Sequence, residues 1–413
     1  MKILFVHQNF PGQYKHLARV FAASPDNEVV ALTMADPVNI PNVRVIRHAW
    51  NRAQTTPHAF MADLDIQVQR GQSTAHVARQ LAKEGFYPDL ICAHPGWGEA
   101  LFLKDVFPKA MLNCFQEFFY RSSGSDIDFD PEFEKSNELH HYQLRIRNAN
   151  ILLNLDAADC NVSPTAWQRA QFPSAYLDKI HLIHDGVDTD QVKADPAAWI
   201  ELASSQRRLT PGDEVVTFVN RNFEPYRGVH TFLRAVPKIL ARRPNAQIIC
   251  VGGDDVSYGP RPPEGQTWRG RYMAEVFGDK PPPNLRFVGK IPYAIFLNLL
   301  QVSRCHVYLT YPFVLSWSML EAMSVGGLVV GSATPPVEEV IVDGENGLLT
   351  DFFSPDDLAD KVCAVLEDPG QFERQRQAAR QTVLERYDLK RVCLPSHVNL
   401  CRDLTGLPLN YQA

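Results

Sequence analysis

The sequence predicts an α/β protein made of two doubly wound, Rossmann-like units in series, and three observations carry that expectation. The chain has 413 residues, more than one hydrophobic core serves, so two domains of about 200 residues each are expected. Short apolar runs alternate with longer amphipathic stretches, the pattern of parallel strands joined by crossover helices. That pattern stops in a charged, weakly periodic stretch ending at Pro211-Gly212 and then starts again, which marks a domain boundary.

Taken in order, the first series runs KILFV at 2–6, EVVAL at 28–32, DLICA at 89–93, AMLNCF at 110–115 and HLIHDG at 181–186. The second opens with EVVTFV at 214–219 and a helix through HTFLRAVPKILARR, then continues with AQIICVGG at 246–253, NLRFVG at 284–289 and HVYLT at 306–310. A helix from about Ser318, LVVGS at 328–332 and GLL at 347–349 complete it. The expected layout is a first domain over 1–190, a linker over 191–213, a second domain over 214–388, and a helical segment over 389–413 that crosses back to the first domain. The stretch from Val256 to Pro283, with Pro260, Pro262, Pro263 and Pro281 to Pro283, reads as an insertion with little regular structure.

Composition narrows the function. Forty-one Lys plus Arg against 47 Asp plus Glu leave a formal charge of −6, so the chain is not expected to bind nucleic acid through its overall field. The eight cysteines are scattered, form no C-x-x-C pair and lie mostly in apolar runs, as buried thiols of a reducing compartment do. The N-terminal apolar run, Ile3 to Val6, is far too short for a signal peptide or a membrane span. A cytoplasmic location is expected.

Two segments of the second half carry chemistry. In VNRNFEPYRG, Arg221 and Arg227 flank a turn at the carboxyl end of a strand, where open α/β sheets bind ligands and where two guanidinium groups can clasp a diphosphate. The same arginines can equally solvate a loop or pair with Glu224. In YLTYPFVLSWSMLEAMSVGG, Ser316, Trp317 and Ser318 lie where a helix begins, so free backbone N–H groups offer an anion site. Glu321, one turn in, can accept two hydrogen bonds from a ribose diol. Ser318-x-x-Glu321 also reads as a capping box, in which both side chains only finish the helix.

In the first half, His94 and Glu99 of AHPGWGE follow one strand, and Gln116 and Glu117 of NCFQEFFY follow another. Both strand ends face the ligand side of a Rossmann unit. Against this, His94 can simply cap the next helix and Glu117 can form an ordinary ion pair. Gly12 and Gln13, just after the first strand, let the backbone approach a donor phosphate, although a turn explains Gly12 as well. Metal sites are not expected. Asp126-x-Asp128 and Asp188-x-Asp190 both satisfy a metal-binding Asp-x-Asp string, but such strings are common by chance and Asp126 to Asp130 has no apolar strand before it; adjacent His140 and His141 point to different sides of a helix. No G-x-G-x-x-G follows a first strand, which argues against a nicotinamide oxidoreductase.

The blocks FVNRNFEPYRG, VGG at 251–253, RFVGK at 286–290 and SWSMLEAMSVGGLVVGSATPPVEEVIVDGENGLL, in this order and spacing, resemble the second domain of family-4 glycosyltransferases. PGQYKHLA, PDLICAH and HDGVD resemble the first domain more loosely. The resemblance implies a GT-B fold, with two Rossmann-like domains facing across a cleft. It also implies transfer of a sugar from a UDP- or GDP-sugar donor to a glycan, lipid-linked or small-molecule acceptor, with retention, without metal and with no further cofactor. Arg221 and Arg227 match the family's diphosphate-binding pair, and Glu321 matches the ribose-holding second glutamate of its signature. The first glutamate, which touches donor sugar hydroxyls, falls at Phe313 and is replaced. Glu117 takes about the place of a polar residue near the reacting sugar. A lipid-linked acceptor would imply peripheral contact with the inner face of a membrane. A sugar-nucleotide epimerase and a catalytically silent sugar-nucleotide binder are the alternative readings.

Overall fold

The computed structural model describes the chain apart from residues 51, 52, 54, 55, 134, 203–206 and 409–413. It divides into two units, Met1–Gly186 with Leu389–Ala413, and Val187–Asp388.

The first unit is built on seven parallel strands, β1 (Lys2–Val6), β2 (Glu28–Thr33), β3 (Val43–Arg47), β4 (Leu90–Ala93), β5 (Met111–Phe115), β6 (Cys160–Ser163) and β7 (Ile180–Leu182). Their order across the sheet is β3-β2-β1-β4-β5-β6-β7. The chain works outward from β1 on one side and returns to β4 on the other, so the topological switch lies between β1 and β4. Both faces of the sheet are covered, which is why β1 reads as a continuous apolar run. Ile3 and Phe5 pack with Leu17 and Phe21 of the Lys15–Ala23 helix and with Leu394, Val398 and Cys401 of the C-terminal helix. Leu4 and Val6, one residue out of phase, pack on Ala78 and Leu81 of the Ala62–Lys83 helix.

The second unit starts at Val187, whose backbone bridges to Asp388, and the Thr189 hydroxyl donates to the Asp388 carboxylate. The segment expected as a linker folds with this unit instead. It carries an antiparallel pair, β8 (Ile200–Leu202) and β9 (Arg207–Leu209), and its Ala198, Leu202 and Leu209 are buried with Val215, Val219 and Ile249. Its apolar residues are few and widely spaced, too sparse to show a strand period.

Six parallel strands follow, β10 (Val215–Asn222), β11 (Gln247–Gly253), β12 (Leu285–Phe287), β13 (Cys305–Tyr308), β14 (Leu328–Ser332) and β15 (Leu348–Thr350), ordered β12-β11-β10-β13-β14-β15. The topological switch of this sheet lies between β10 and β13. The proline-rich stretch differs from expectation, because Trp268–Phe277 is a helix capped by the Thr267 hydroxyl, with Trp268 and Tyr272 buried at i, i+4 spacing. Its prolines lie on either side of the helix.

All eight cysteines are buried thiols. Among the described residues, no helix is long and apolar enough to cross a membrane, and no group of three or more His, Cys, Asp or Glu could hold a metal ion.

Candidate functional site

At the end of β10 the ladder shifts register between Val219 and Asn222, and there Asn220 and Asn222 are buried while Arg221 is exposed. The chain then folds over itself. Glu224, fully buried, accepts hydrogen bonds from the backbone N–H groups of Ser257 (3.1 Å), Tyr258 (3.0 Å) and Gly259 (3.1 Å), which ties the turn after β10 to the loop after β11. Pro225–Arg227 forms one 3-10 turn, closed by Gly228 at φ 65°. A Cβ there would come within 2.5 Å of the Leu309 side chain, so both the backbone angle and the space require glycine.

Arg227 is thereby driven inward and is only 4% exposed. Its Nη1 donates to Thr310 Oγ1 (2.7 Å), the Val314 carbonyl (3.0 Å) and Tyr308 Oη (3.4 Å), and the guanidinium lies 5.1 Å from the centre of the Tyr258 ring. Among the described residues no carboxylate stands within ion-pair distance of it, and neither arginine pairs with Glu224. These hydrogen-bond partners of Arg227 are all neutral, and the Glu224 carboxylate acts on it only through space; a buried cation without a direct ion pair is costly unless an anion joins it.

After β13, residues Thr310 to Val314 are buried, and Ser316 caps the Trp317–Ser324 helix. The Ser316 N–H donates to Tyr308 Oη (2.7 Å), and its hydroxyl accepts weakly from the Ser318 N–H (3.5 Å). Since Ser316 is the cap, the Ser318–Glu321 capping box does not form. Glu321 Oε1 instead accepts from the Tyr293 hydroxyl at 2.6 Å. Burial, and then the neighbouring Glu321 carboxylate, push the Tyr293 phenol upward, so it stays protonated and donates. Trp317 is half exposed and Ser318 is buried. Phe313, in the place of the first signature glutamate, is buried against the rings of Tyr226 (5.6 Å) and Tyr258 (5.0 Å). It makes that wall apolar.

The first unit assembles polar residues at its own switch point. His7 follows β1; its Nδ1 accepts from the Asn9 N–H (2.9 Å), so Nε2 carries the proton toward Gln13 Oε1 (2.8 Å). Burial, and next the nearby His94, lower its pKa to about 3. A Cβ on Gly12, at φ 45°, would lie 2.4 Å from the His7 ring, so Gly12 serves this close approach as well as a turn. After β4, His94 Nδ1 accepts from the Gly96 N–H (3.2 Å), its ring stacks on Trp97 (4.4 Å), and its Nε2 lies 3.7 Å from Glu117 Oε2. His94 therefore caps the next turn and faces a carboxylate at once. The Glu117 side chain is 40% exposed. Glu99 and Gln116 depart from expectation. Glu99 is wholly buried, with its carboxyl pKa raised by that burial, and Gln116 is buried with Nε2 donating to Asn161 Oδ1 (2.8 Å).

The predicted residues thus gather in two groups, Gly12, Gln13, His94 and Glu117 in the first unit and Arg221, Arg227, Ser316, Trp317, Ser318 and Glu321 in the second. Glu224, Tyr258, Tyr293 and Lys290 join the second group although no spacing rule marks them. Lys290 reaches the end of β11, its Cε 3.1 Å from where a Gly253 Cβ would stand. Its place in RFVGK, directly after a glycine at a strand end, was the available signal.

Two doubly wound units, each with polar groups at its switch point, are the architecture of the GT-B fold. A model of the glycosyl transferase family 4 group matches residues 25–192, and one of the glycosyl transferases group 1 matches residues 201–382. The chain belongs to the family-4 glycosyltransferases. Among relatives, a D-inositol 3-phosphate glycosyltransferase of Corynebacterium glutamicum is 25% identical over 339 residues, 79% of this chain and 74% of the relative. A phosphatidyl-myo-inositol mannosyltransferase of Mycobacterium tuberculosis is 32% identical over 213 residues, half of each chain. Sucrose-phosphate synthase of Thermosynechococcus elongatus has the same fold (TM-score 0.73, 17% identity, 98% of this chain and 99% of the other). So has Anabaena HepE, solved with UDP-glucose (TM-score 0.65, 16% identity, 98% and 100%).

Proposed function

We propose that this glycosyltransferase takes a sugar from a nucleotide diphosphate sugar and passes it to a hydroxylated acceptor, with retention at the anomeric carbon and without a metal ion. The observation that carries the donor reading is Arg227, a buried cation with no carboxylate at ion-pair distance among the described residues. A diphosphate supplies the missing anion. The UDP-glucose bound by HepE supports a donor of this class.

In this reading Arg227 and Arg221 hold the diphosphate with the first turn of the Trp317–Ser324 helix, and Glu321 holds the ribose diol. As the bond from the anomeric carbon to the diphosphate oxygen breaks and one to the acceptor oxygen forms, negative charge grows on the leaving group. Two guanidinium groups and a helix N-terminus stabilise that charge, the task a divalent cation performs in metal-dependent transferases. The first unit's own polar cluster, with the Glu117 carboxylate 3.7 Å from His94 Nε2 and the Gly12–Gln13 turn beside it, offers groups that orient an acceptor hydroxyl.

The relatives named for inositol phosphate and phosphatidylinositol favour a polyol, free or lipid-linked, over a protein acceptor. A lipid-linked acceptor would bring the protein to a membrane surface. The test is to incubate purified protein with UDP- and GDP-sugars and inositol-based acceptors, with and without EDTA, and to read product anomeric configuration by NMR. Transfer with retained configuration and no loss in EDTA is expected. An inverted product, or activity abolished by EDTA and restored by a divalent cation, contradicts the mechanism.

A further inference from the structure

Resting on the donor reading, we infer that Tyr258 is a positioning residue for Arg227, held in place from below by Glu224 and from the side by Phe313. Four observations meet at this ring. The guanidinium of Arg227 lies 5.1 Å from its centre, within cation–π range. The backbone on both sides of Tyr258 is pinned, because Glu224 takes the N–H groups of Ser257, Tyr258 and Gly259 at 3.0–3.1 Å. The Phe313 ring packs at 5.0 Å from Tyr258. Gly259 admits the loop at all, since a Cβ there would stand 2.9 Å from the Tyr226 ring.

The consequence is chemical. Nη1 of Arg227 is committed to Thr310, Val314 and Tyr308, and the guanidinium also hydrogen-bonds the Tyr258 hydroxyl, which leaves its remaining N–H groups to face a ligand. A planar cation with one edge anchored still needs its face supported if the other edge is to meet phosphate oxygens at a fixed angle. The Tyr258 ring supplies that face. Phe313 acquires a role as well, because an aromatic side chain there backs the Tyr258 ring. Glu224 anchors the loop through three backbone donors, and because its carboxylate also acts through space on Arg227 it is a poorer probe of the ring's own role than Tyr258.

The test is calorimetry with UDP and GDP as probes on wild type, Tyr258→Leu, Tyr258→Phe and Arg227→Met, with uridine and guanosine binding followed by NMR. For the diphosphate that wild type binds, Tyr258→Leu is expected to weaken binding about five-fold or more, while Tyr258→Phe, which keeps the ring and loses only the hydroxyl's hydrogen bond to the guanidinium, is expected to lose clearly less. Binding of the matching nucleoside, which carries no phosphate, is expected to change by less than about two-fold in both. An unchanged diphosphate affinity in Tyr258→Leu overturns the role given to Tyr258, and so does an equal loss for diphosphate and nucleoside, which would mean a collapsed loop. Arg227→Met separates the two claims. If it binds diphosphate as tightly as wild type, the donor reading itself falls; if it loses affinity and Tyr258→Leu does not, only the positioning role falls.

Discussion

The Tyr293 hydroxyl donates to Glu321 Oε1 at 2.6 Å, so the carboxylate proposed to hold the ribose is oriented by the helix before it. A carboxylate offers about four acceptor sites, enough to serve Tyr293 and a diol together. Glu321→Gln keeps the shape and a partner for Tyr293 but loses charge-assisted acceptance, worth about 1.5–3 kcal/mol, or roughly ten- to hundred-fold in nucleotide affinity. Tyr293→Phe removes only the orienting bond and should cost less, about 0.5–1.5 kcal/mol. Calorimetry with UDP or GDP checks both values and their order.

Arg227 and Ser316 contribute unequally to the same leaving group. The helix end offers about 0.3–1 kcal/mol when exposed and up to about 2 when partly buried, while a hydrogen bond to a charged group is worth about 1.5–3 kcal/mol. Arg227→Ala should therefore depress turnover most, exposed Arg221→Ala less, and Ser316→Ala least. Steady-state kcat on the three variants reads the order directly.

Much of this was legible in sequence, and the reasons it stopped short are physical. Parallel strands buried on both faces write themselves as apolar runs, so the strand order of blocks around KILFV and EVVTFV was readable. The 191–213 segment was not, because its buried apolar residues among those described, such as Val192, Ala198, Leu202 and Leu209, are too widely spaced to leave a period. The candidate pair Arg221 and Arg227 was visible as spacing, but not that one lies outside and the other inside; that depends on the Gly228 turn packing under Leu309. Tyr293 and Tyr258 were invisible since their partners, Glu321 and Arg227, lie about 30 residues away in sequence, where no local rule reaches.

Acidification should weaken the fold before most carboxylates titrate. His7 and His306 are buried neutral, with pKa values lowered to about 3 in each case, by burial first for His7 and by burial alone for His306. Their folded pKa lies below the unfolded value near 6.5, so their stabilising contribution is full above about pH 6.5 and is lost as pH falls toward about 3, at up to about 1.4 kcal/mol per pH unit for each. The melting temperature should drop between pH 7 and pH 5. A flat profile over that range would contradict the buried neutral assignment.

Gly228→Ala should be among the more damaging single-methyl changes. It places a side chain at φ 65° and 2.5 Å from Leu309, which combines left-handed strain of about 1 kcal/mol with an overpacking cost of about 1–3 kcal/mol. Thermal denaturation should show a clear fall in Tm. Nucleotide affinity should fall too, because the turn carries Arg227.

The most direct measurement is a crystal structure of the protein grown with saturating UDP or GDP. Diphosphate oxygens should lie about 3 Å from the Arg227 guanidinium, with the ribose hydroxyls on Glu321. A diphosphate seated elsewhere on the chain, leaving Arg227 with only Thr310, Val314, Tyr308 and Tyr258 as partners, would contradict the proposed site.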